Sequence, residues 1–88
     1  MTNRPKIAFI GAGSTIFMRN IVGDCLTIPA LSEADFALMD IDETRLAESA
    51  LVARGMVAAT RTGATITATT DRGEALDGAD FEIGRAHV

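Results

Sequence analysis

The residues best suited to chemistry follow a short apolar run in a small-residue segment: Gly11, Ala12, Gly13, Ser14 and Thr15. Backbone N–H groups at the start of a helix bind phosphate, because they point outward and the helix dipole favours negative charge. Gly11 permits a tight turn, and Gly13 lets the backbone approach a ligand without a Cβ in the way. The segment therefore predicts a pyrophosphate site with unencumbered loop amides. Ile16 stands where the G-x-G-x-x-G pattern has its third glycine, so the pattern is incomplete.

A second candidate is Asp40, which closes the apolar stretch that begins at Ala34. In a dinucleotide-binding unit, the acid at this place accepts hydrogen bonds from the adenosine ribose hydroxyls. Asp42 and Glu43 add negative charge that should repel a 2′-phosphate, which favours NAD over NADP. The alternative is that Asp40 only caps the next helix, since aspartate is a preferred N-cap residue. The upstream glycines favour the ribose contact.

Strands and helices that could position these residues alternate along the chain. The pattern predicts a strand at 7–10, a helix capped by Ser14 and ended by Pro29, a strand at 34–40, a helix at 43–61 stopped by Gly63, a strand at 65–70, a helical turn at 71–76 and a strand opening at 79–81. Strands separated by helices pair in parallel with right-handed crossovers. The predicted fold class is α/β: the N-terminal half of a Rossmann-type doubly wound parallel sheet, β-α-β-α-β plus the start of a fourth strand.

Composition excludes several functional classes. The 88 residues are 48% hydrophobic, which is typical of a chain that buries a core. The net charge is −4 and Lys and Arg are not clustered, so nucleic-acid binding is not expected. No segment resembles a signal peptide or a membrane span, and Cys25 is alone and predicted to be a core residue. We therefore expect a cytoplasmic protein without membrane contact.

Four segments resemble glycoside hydrolase family 4, and the melibiase-type α-galactosidases and α-glucosidases in particular. They are Lys6–Phe17, Asn20–Asp24, Ala37–Asp42 with Arg45-Leu46, and Glu74–Phe81. The resemblance covers residues 5–81. It is specific because the serine after the second glycine, Phe17 and the Met-Asp-Ile-Asp strand end occur together, and Ile16 in place of the third glycine is expected in this family.

The resemblance implies an unusual hydrolysis. Family members are understood to oxidise the sugar at C3 by hydride transfer to NAD, remove the acidified C2 proton and eliminate the aglycone, with Mn²⁺ or another divalent metal stabilising the enediolate. Their metal ligands and catalytic base lie downstream of the matching region. This chain is therefore expected to contain no catalytic or metal-binding residue. The substrate of the full-length enzyme would be a small α-glycoside, and the full-length enzyme is expected to be a homo-oligomer.

The end of the chain departs from the family pattern. The segment Ile83–Val88 matches the translation of a common short-read sequencing adapter, so residues 1–82 are interpreted as a partial NAD-binding Rossmann domain and residues 83–88 as a non-native tail. Arg85 and His87 are accordingly not candidate site residues. If the fourth strand stops at Phe81, the first strand presents an unpaired edge. The fragment is then expected to be poorly soluble, to bind NAD weakly or not at all, and to lack glycosidase activity.

Two alternatives remain open from the residues. One is a different NAD-dependent dehydrogenase of the 2-hydroxy-acid type, such as a lactate or malate dehydrogenase, although Ile16 argues against it. The other is a non-catalytic NAD-sensing module. Downstream sequence would distinguish the glycosidase, the dehydrogenase and the sensing module, since a Cys-x-His metal motif is expected only in the glycosidase.

Overall fold

Strands and helices alternate strictly along residues 4–84, the part of the chain that the computed structural model describes. In chain order they are β1 (Lys6–Ile10), α1 (Thr15–Leu26), β2 (Asp35–Met39), α2 (Glu43–Thr60), β3 (Thr65–Thr69), α3 (Arg72–Leu76) and β4 (Phe81–Gly84). Each element lies within a residue or two of its predicted place, except that α1 ends at Leu26, three residues before Pro29. The α/β prediction is confirmed.

The four strands form one parallel sheet in the order β3-β2-β1-β4. As predicted, β3-β2-β1 is the strand order of the first half of a Rossmann domain, and β4 is in the place of the fourth strand. The strands end in register, because Ile10 pairs with both Met39 and Gly84, and Met39 pairs with Thr69. The loops that follow β1 and β2 therefore emerge side by side at the carboxyl edge of the sheet.

The prediction that β1 has an unpaired edge is wrong. β4 pairs with β1 from Ile7 opposite Phe81 to Ile10 opposite Gly84. Asp80 fixes where β4 begins, because its N–H donates to the Lys6 carbonyl and its carboxylate accepts from the Lys6 N–H, both at 2.8 Å. β1 is thus paired on both sides.

The predicted tail falls partly inside the sheet. Residues 83 and 84 belong to β4, and Ile83 packs against the main core cluster. Arg85 and His87 lie outside the described residues. The non-native origin of residues 83–88 stays a prediction.

Alternation along the strands divides the core between the two faces of the sheet. One face carries Ile7, Phe9, Phe36 and Leu38 against α1 and α2, and the other carries Ala37 and Met39 against Ala75 of α3. The predicted inner faces are largely confirmed, since Val22, Cys25 and Leu26 of α1 and Leu46, Ala50 and Ala53 of α2 are buried. The other predicted inner residues, Phe17, Ile21 and Val57, are half-buried and pack against the main core cluster. Met18 is a fully buried residue that the prediction did not include.

Two helix ends differ from the prediction. The left-handed residue that ends α2 is Arg61, with φ 54°, and its N–H donates to the Val57 carbonyl. Gly63, the predicted stop, has φ 82° but lies two residues further on. Ser14 occupies the N-cap position of α1, but its side chain makes no capping hydrogen bond in the described structure.

Candidate functional site

A cleft of about 740 Å³ lies at the carboxyl ends of β1, β2 and β4. The loop between β1 and α1 forms one wall, and Asp40, which follows β2, faces it. The cleft is lined by Ile10, Gly11, Gly13, Ser14, Asp40, Asp42, Arg45, Arg72, Glu82 and Gly84. Four of the six predicted site residues are therefore brought together. Ala12 is fully buried beneath the loop, and Thr15 lines an adjoining cavity of about 370 Å³.

The loop amides are not free, contrary to the prediction. The N–H groups of Gly11 and Ala12 both donate to the Met39 carbonyl at 2.9 Å, and the Gly13 N–H donates to Asp40 Oδ2 at 2.8 Å. The Ser14 N–H donates to the Gly11 carbonyl at 3.3 Å. These bonds fasten the loop to the end of β2, so the loop is held in shape by the chain itself.

The N–H groups left for a ligand belong to the first turn of α1. Met18 is the first residue of this helix whose N–H has a carbonyl partner, the Ser14 oxygen at 2.9 Å. Among the described residues, the N–H groups of Thr15, Ile16 and Phe17 have no such partner, as expected at a helix start. The helix dipole also favours an anion at this place. Of the predicted residues, Thr15 thus keeps an available N–H, and the prediction did not include the N–H groups of Ile16 and Phe17.

The Asp40 side chain links the glycine loop to the start of α2. Its Oδ2 accepts from the Gly13 N–H at 2.8 Å, and its Oδ1 accepts from the Asp42 N–H at 2.9 Å. The N-cap of α2 is Asp42, whose Oδ1 accepts from the Arg45 N–H at 3.0 Å. The alternative that Asp40 only caps this helix is therefore wrong. Each carboxylate oxygen of Asp40 retains a lone pair, and the residue is only half-buried, so it can still accept ribose hydroxyls.

Gly13 is required by its neighbours within the chain. A Cβ at this position would lie 2.6 Å from Asp40 Oδ2, 2.8 Å from Asp40 Cγ and 3.1 Å from Arg45 Cβ. The first two distances are shorter than any van der Waals contact. The predicted reason for Gly13 was close approach to phosphate; the structure adds that only glycine lets Asp40 reach the loop.

A pair of hydroxyl groups links the start of α1 to α2. Thr15 Oγ1 and Ser49 Oγ are 2.9 Å apart, and Ser49 is fully buried. The Thr15 hydroxyl is thereby engaged by Ser49, and the Thr15 backbone N–H has no carbonyl partner within the described part of the chain. Sequence reasoning missed Ser49. The available signal was a polar residue on the apolar face of α2, between Leu46 and Ala50.

Charges of both signs line the cleft. Asp40, Asp42 and Glu82 supply carboxylates, and Arg45 and Arg72 supply guanidinium groups that the sequence interpretation did not assign to the site. Within residues 4–84, no group of three His, Cys, Asp or Glu side chains could hold a metal ion. No helix of the described region is long and apolar enough to cross a membrane.

The sequence is similar to curated α-glycosidases. It is 45% identical over 83 residues to an α-galactosidase of Bacillus subtilis (strain 168). The aligned segment covers 94% of this chain and 19% of that protein. It is 37% identical over 78 residues to an α-glucosidase of Erwinia rhapontici, covering 89% of this chain and 17% of that protein. The chain thus spans less than a fifth of the length of these relatives.

Solved structures share the fold. The lactate dehydrogenase of Cryptosporidium parvum, solved with lactic acid and nicotinamide adenine dinucleotide, matches with a TM-score of 0.69 at 26% identity, over 100% of this chain and 26% of that one. A 6-phospho-α-glucosidase from gut microorganisms, solved with NAD and Mn²⁺, matches with a TM-score of 0.74 at 23% identity, over 96% of this chain and 19% of that one. Both likenesses support a Rossmann-type sheet.

The family assignment rests on the sequence as a whole. The sequence model described as family 4 glycosyl hydrolase matches residues 6–88, which include the glycine loop, Asp40 and every strand and helix of the sheet. Likeness to the dehydrogenase is then explained by a nucleotide-binding fold that unrelated activities share. The chain belongs to the family 4 glycosyl hydrolases.

Proposed function

We propose that this chain is the cofactor-binding part of an NAD-dependent α-glycosidase that acts on α-galactosides or α-glucosides. The observation that carries the proposal is the Asp40 carboxylate, held at the end of β2 and hydrogen-bonded to the Gly13 N–H across the cleft. Family membership supports the glycosidase activity, and the relatives named above support the choice of sugars.

The residues of the cleft fit a dinucleotide. Asp40 would accept the two adenosine ribose hydroxyls, and the first-turn N–H groups of Thr15 and Ile16 would donate to the diphosphate. Gly11 and Gly13 have no side chain, so the diphosphate could lie close to the loop backbone. Ala12 and Ser14 complete the loop. When bound, NAD would supply the acceptor for the hydride on the sugar's C3 carbon, so that the C3 alcohol becomes a ketone and the proton at C2 becomes acidic. The cofactor would be bound in a fixed orientation because the loop is anchored at Met39 and Asp40.

The described residues do not fit a divalent metal. The three ligand side chains that a protein metal site commonly needs are not found together in residues 4–84. We therefore propose that Mn²⁺, the catalytic base and the sugar pocket belong to parts of the enzyme outside this chain. The 88 residues alone are then expected to show no glycosidase activity.

The cofactor requirement can be tested on the complete enzyme. Hydrolysis of a nitrophenyl α-galactoside or α-glucoside should stop when NAD is stripped and should return when NAD is added back. The released sugar should carry deuterium at C2 after turnover in D₂O. Hydrolysis at full rate without NAD, and without deuterium at C2, would contradict the proposal.

The ribose contact has its own test, in which Asp40→Ala is compared with Asp77→Ala. Asp77 is an exposed acid outside the cleft, so its loss leaves the cleft intact while changing the net charge equally. Hydrogen bonds to a charged group contribute about 1.5–3 kcal/mol, so Asp40→Ala should weaken NAD binding by about ten-fold or more. It should also narrow the preference for NAD over NADP, because repulsion of the 2′-phosphate is reduced. Unchanged NAD affinity in Asp40→Ala would remove this residue from the ribose site.

A further inference from the structure

The cleft has an electrostatic imbalance for an anionic ligand. Three carboxylates and two guanidinium groups line it, and a dinucleotide would add two negative charges on its diphosphate. The loop amides that would commonly offset this charge are bonded to Met39, Asp40 and Gly11. The first-turn N–H groups of α1 contribute only partial positive charge. A full positive charge near the loop would therefore favour binding of the diphosphate.

Arg45 is placed to supply that charge. Its Cβ lies 3.1 Å from the position a Cβ would take on Gly13, so the stem of the side chain rests against the loop. The residue lines both the main cleft and the smaller cavity at the start of α1, whose walls include Gly13, Ser14 and Thr15. Arg45 thus borders the same space as the N–H groups that remain available.

The guanidinium of Arg45 is only weakly engaged within the chain. Its Nε lies 3.8 Å from Asp42 Oδ2, which is beyond hydrogen-bond distance, and the side chain is 69% exposed. An exposed ion pair of this kind contributes little to stability. The planar guanidinium can therefore turn to a phosphate and donate two parallel hydrogen bonds to it.

Arg72, the other cation of the cleft, lies on the opposite side of Asp40. It begins α3 directly after β3, and the strand order places β3 beyond β2 from the glycine loop. A ligand with its diphosphate at the β1 loop and its ribose at Asp40 would direct its adenine towards β3. Arg72 is therefore on the adenosine side, which leaves Arg45 as the cation on the diphosphate side.

We propose that Arg45 binds the diphosphate of the dinucleotide and offsets the negative charge of the cleft. The inference rests on the proposed NAD site and adds a phosphate-binding residue on α2 to it. Arg45 acts in binding and orientation of the cofactor, since it borders the glycine loop.

The test compares Arg45→Gln with Arg45→Lys and with a matched control, Arg54→Gln, in the complete enzyme. Arg54 lies on the same helix, but its guanidinium donates to the Ile66 carbonyl and is outside the cleft. Binding of NAD and of adenosine, which has no diphosphate, is measured by calorimetry at two salt concentrations. Arg45→Gln should weaken NAD binding by about ten-fold, leave adenosine binding unchanged and lower the salt dependence of NAD binding. Arg45→Lys should recover part of the loss, and Arg54→Gln should match wild type.

The outcomes separate this inference from the proposed function. NAD affinity of Arg45→Gln within two-fold of wild type would overturn the role of Arg45 while leaving the NAD site in place. Equal losses for NAD and adenosine would also overturn it, because they would show that Arg45 acts by positioning Asp40 or Asp42. A wild-type enzyme that binds no NAD would instead defeat the proposed function itself.

Discussion

Substituting Gly13 by alanine tests the contact on which the whole cleft depends. The added methyl group would lie 2.6 Å from Asp40 Oδ2, so the carboxylate must move and its hydrogen bond from the Gly13 N–H must lengthen or break. Gly13 has no positive φ, so the backbone itself would accept alanine and the cost would come from the contact. Overpacking costs about 1–3 kcal/mol, and loss of a hydrogen bond to a charged group about 1.5–3 kcal/mol.

Asp40 is only half-buried and can relax partly towards solvent, which lowers the expected cost. We expect the free energy of unfolding to fall by about 2 kcal/mol, which corresponds to roughly 10 °C in Tm for a domain of this size. Thermal unfolding of the 88-residue chain, followed by far-ultraviolet circular dichroism, measures this change. NAD binding of the complete enzyme should fall in parallel, because the displaced carboxylate is the proposed ribose acceptor.

Two further variants isolate the effect of the Asp40 carboxylate on the cost of Gly13→Ala. Gly55→Ala is the matched control, because nothing lies within 4 Å of a Cβ at this position in the middle of α2. It should stabilise the chain by about 0.5–1 kcal/mol, since alanine is the better helix former. In an Asp40→Ala background, Gly13→Ala should cost much less, because the clashing carboxylate is gone. An equal cost in both backgrounds, or a Gly13→Ala chain as stable as wild type, would show that contact with the Asp40 carboxylate is not the source of the cost.

Two other predictions concern the ends and the interior of the helices. Arg61→Gly should raise the free energy of unfolding by about 1 kcal/mol, because Arg61 ends α2 at φ 54°, where a side chain is unfavourable; equal stability in urea titrations would contradict this. Burial, and secondarily the neighbouring Asp24 carboxylate, raises the pKa of the Cys25 thiol above its ordinary value of 9.0. The folded thiol therefore stays protonated, and its contribution to stability is present below pH 9 and lost as the pH rises further. Wild type should lose more stability than Cys25→Ala over that alkaline range, and parallel losses would speak against it.

Local sequence patterns were sufficient to predict the alternation of strands and helices, the parallel sheet and the two parts of the candidate site, which are the glycine loop and Asp40. Periodicity and the glycine loop are local signals, so β1, α1 and the position of Asp40 could be read from them. The quoted segments around Phe17 and Arg45-Leu46 were likewise enough to indicate the family. These features depend on residues close to one another in the chain.

The contacts that hold the site together could not be predicted from local patterns. Whether the amides of Gly11 and Gly13 are free depends on Met39 and Asp40, which reach the loop across the sheet. Pairing of β1 with β4 depends on Asp80, far away in sequence, and the inclusion of Arg45 in the cleft depends on how α2 packs beside the loop. Local patterns do not specify which distant partner satisfies a given backbone group. These partners are defined only when the strands pair in a particular register.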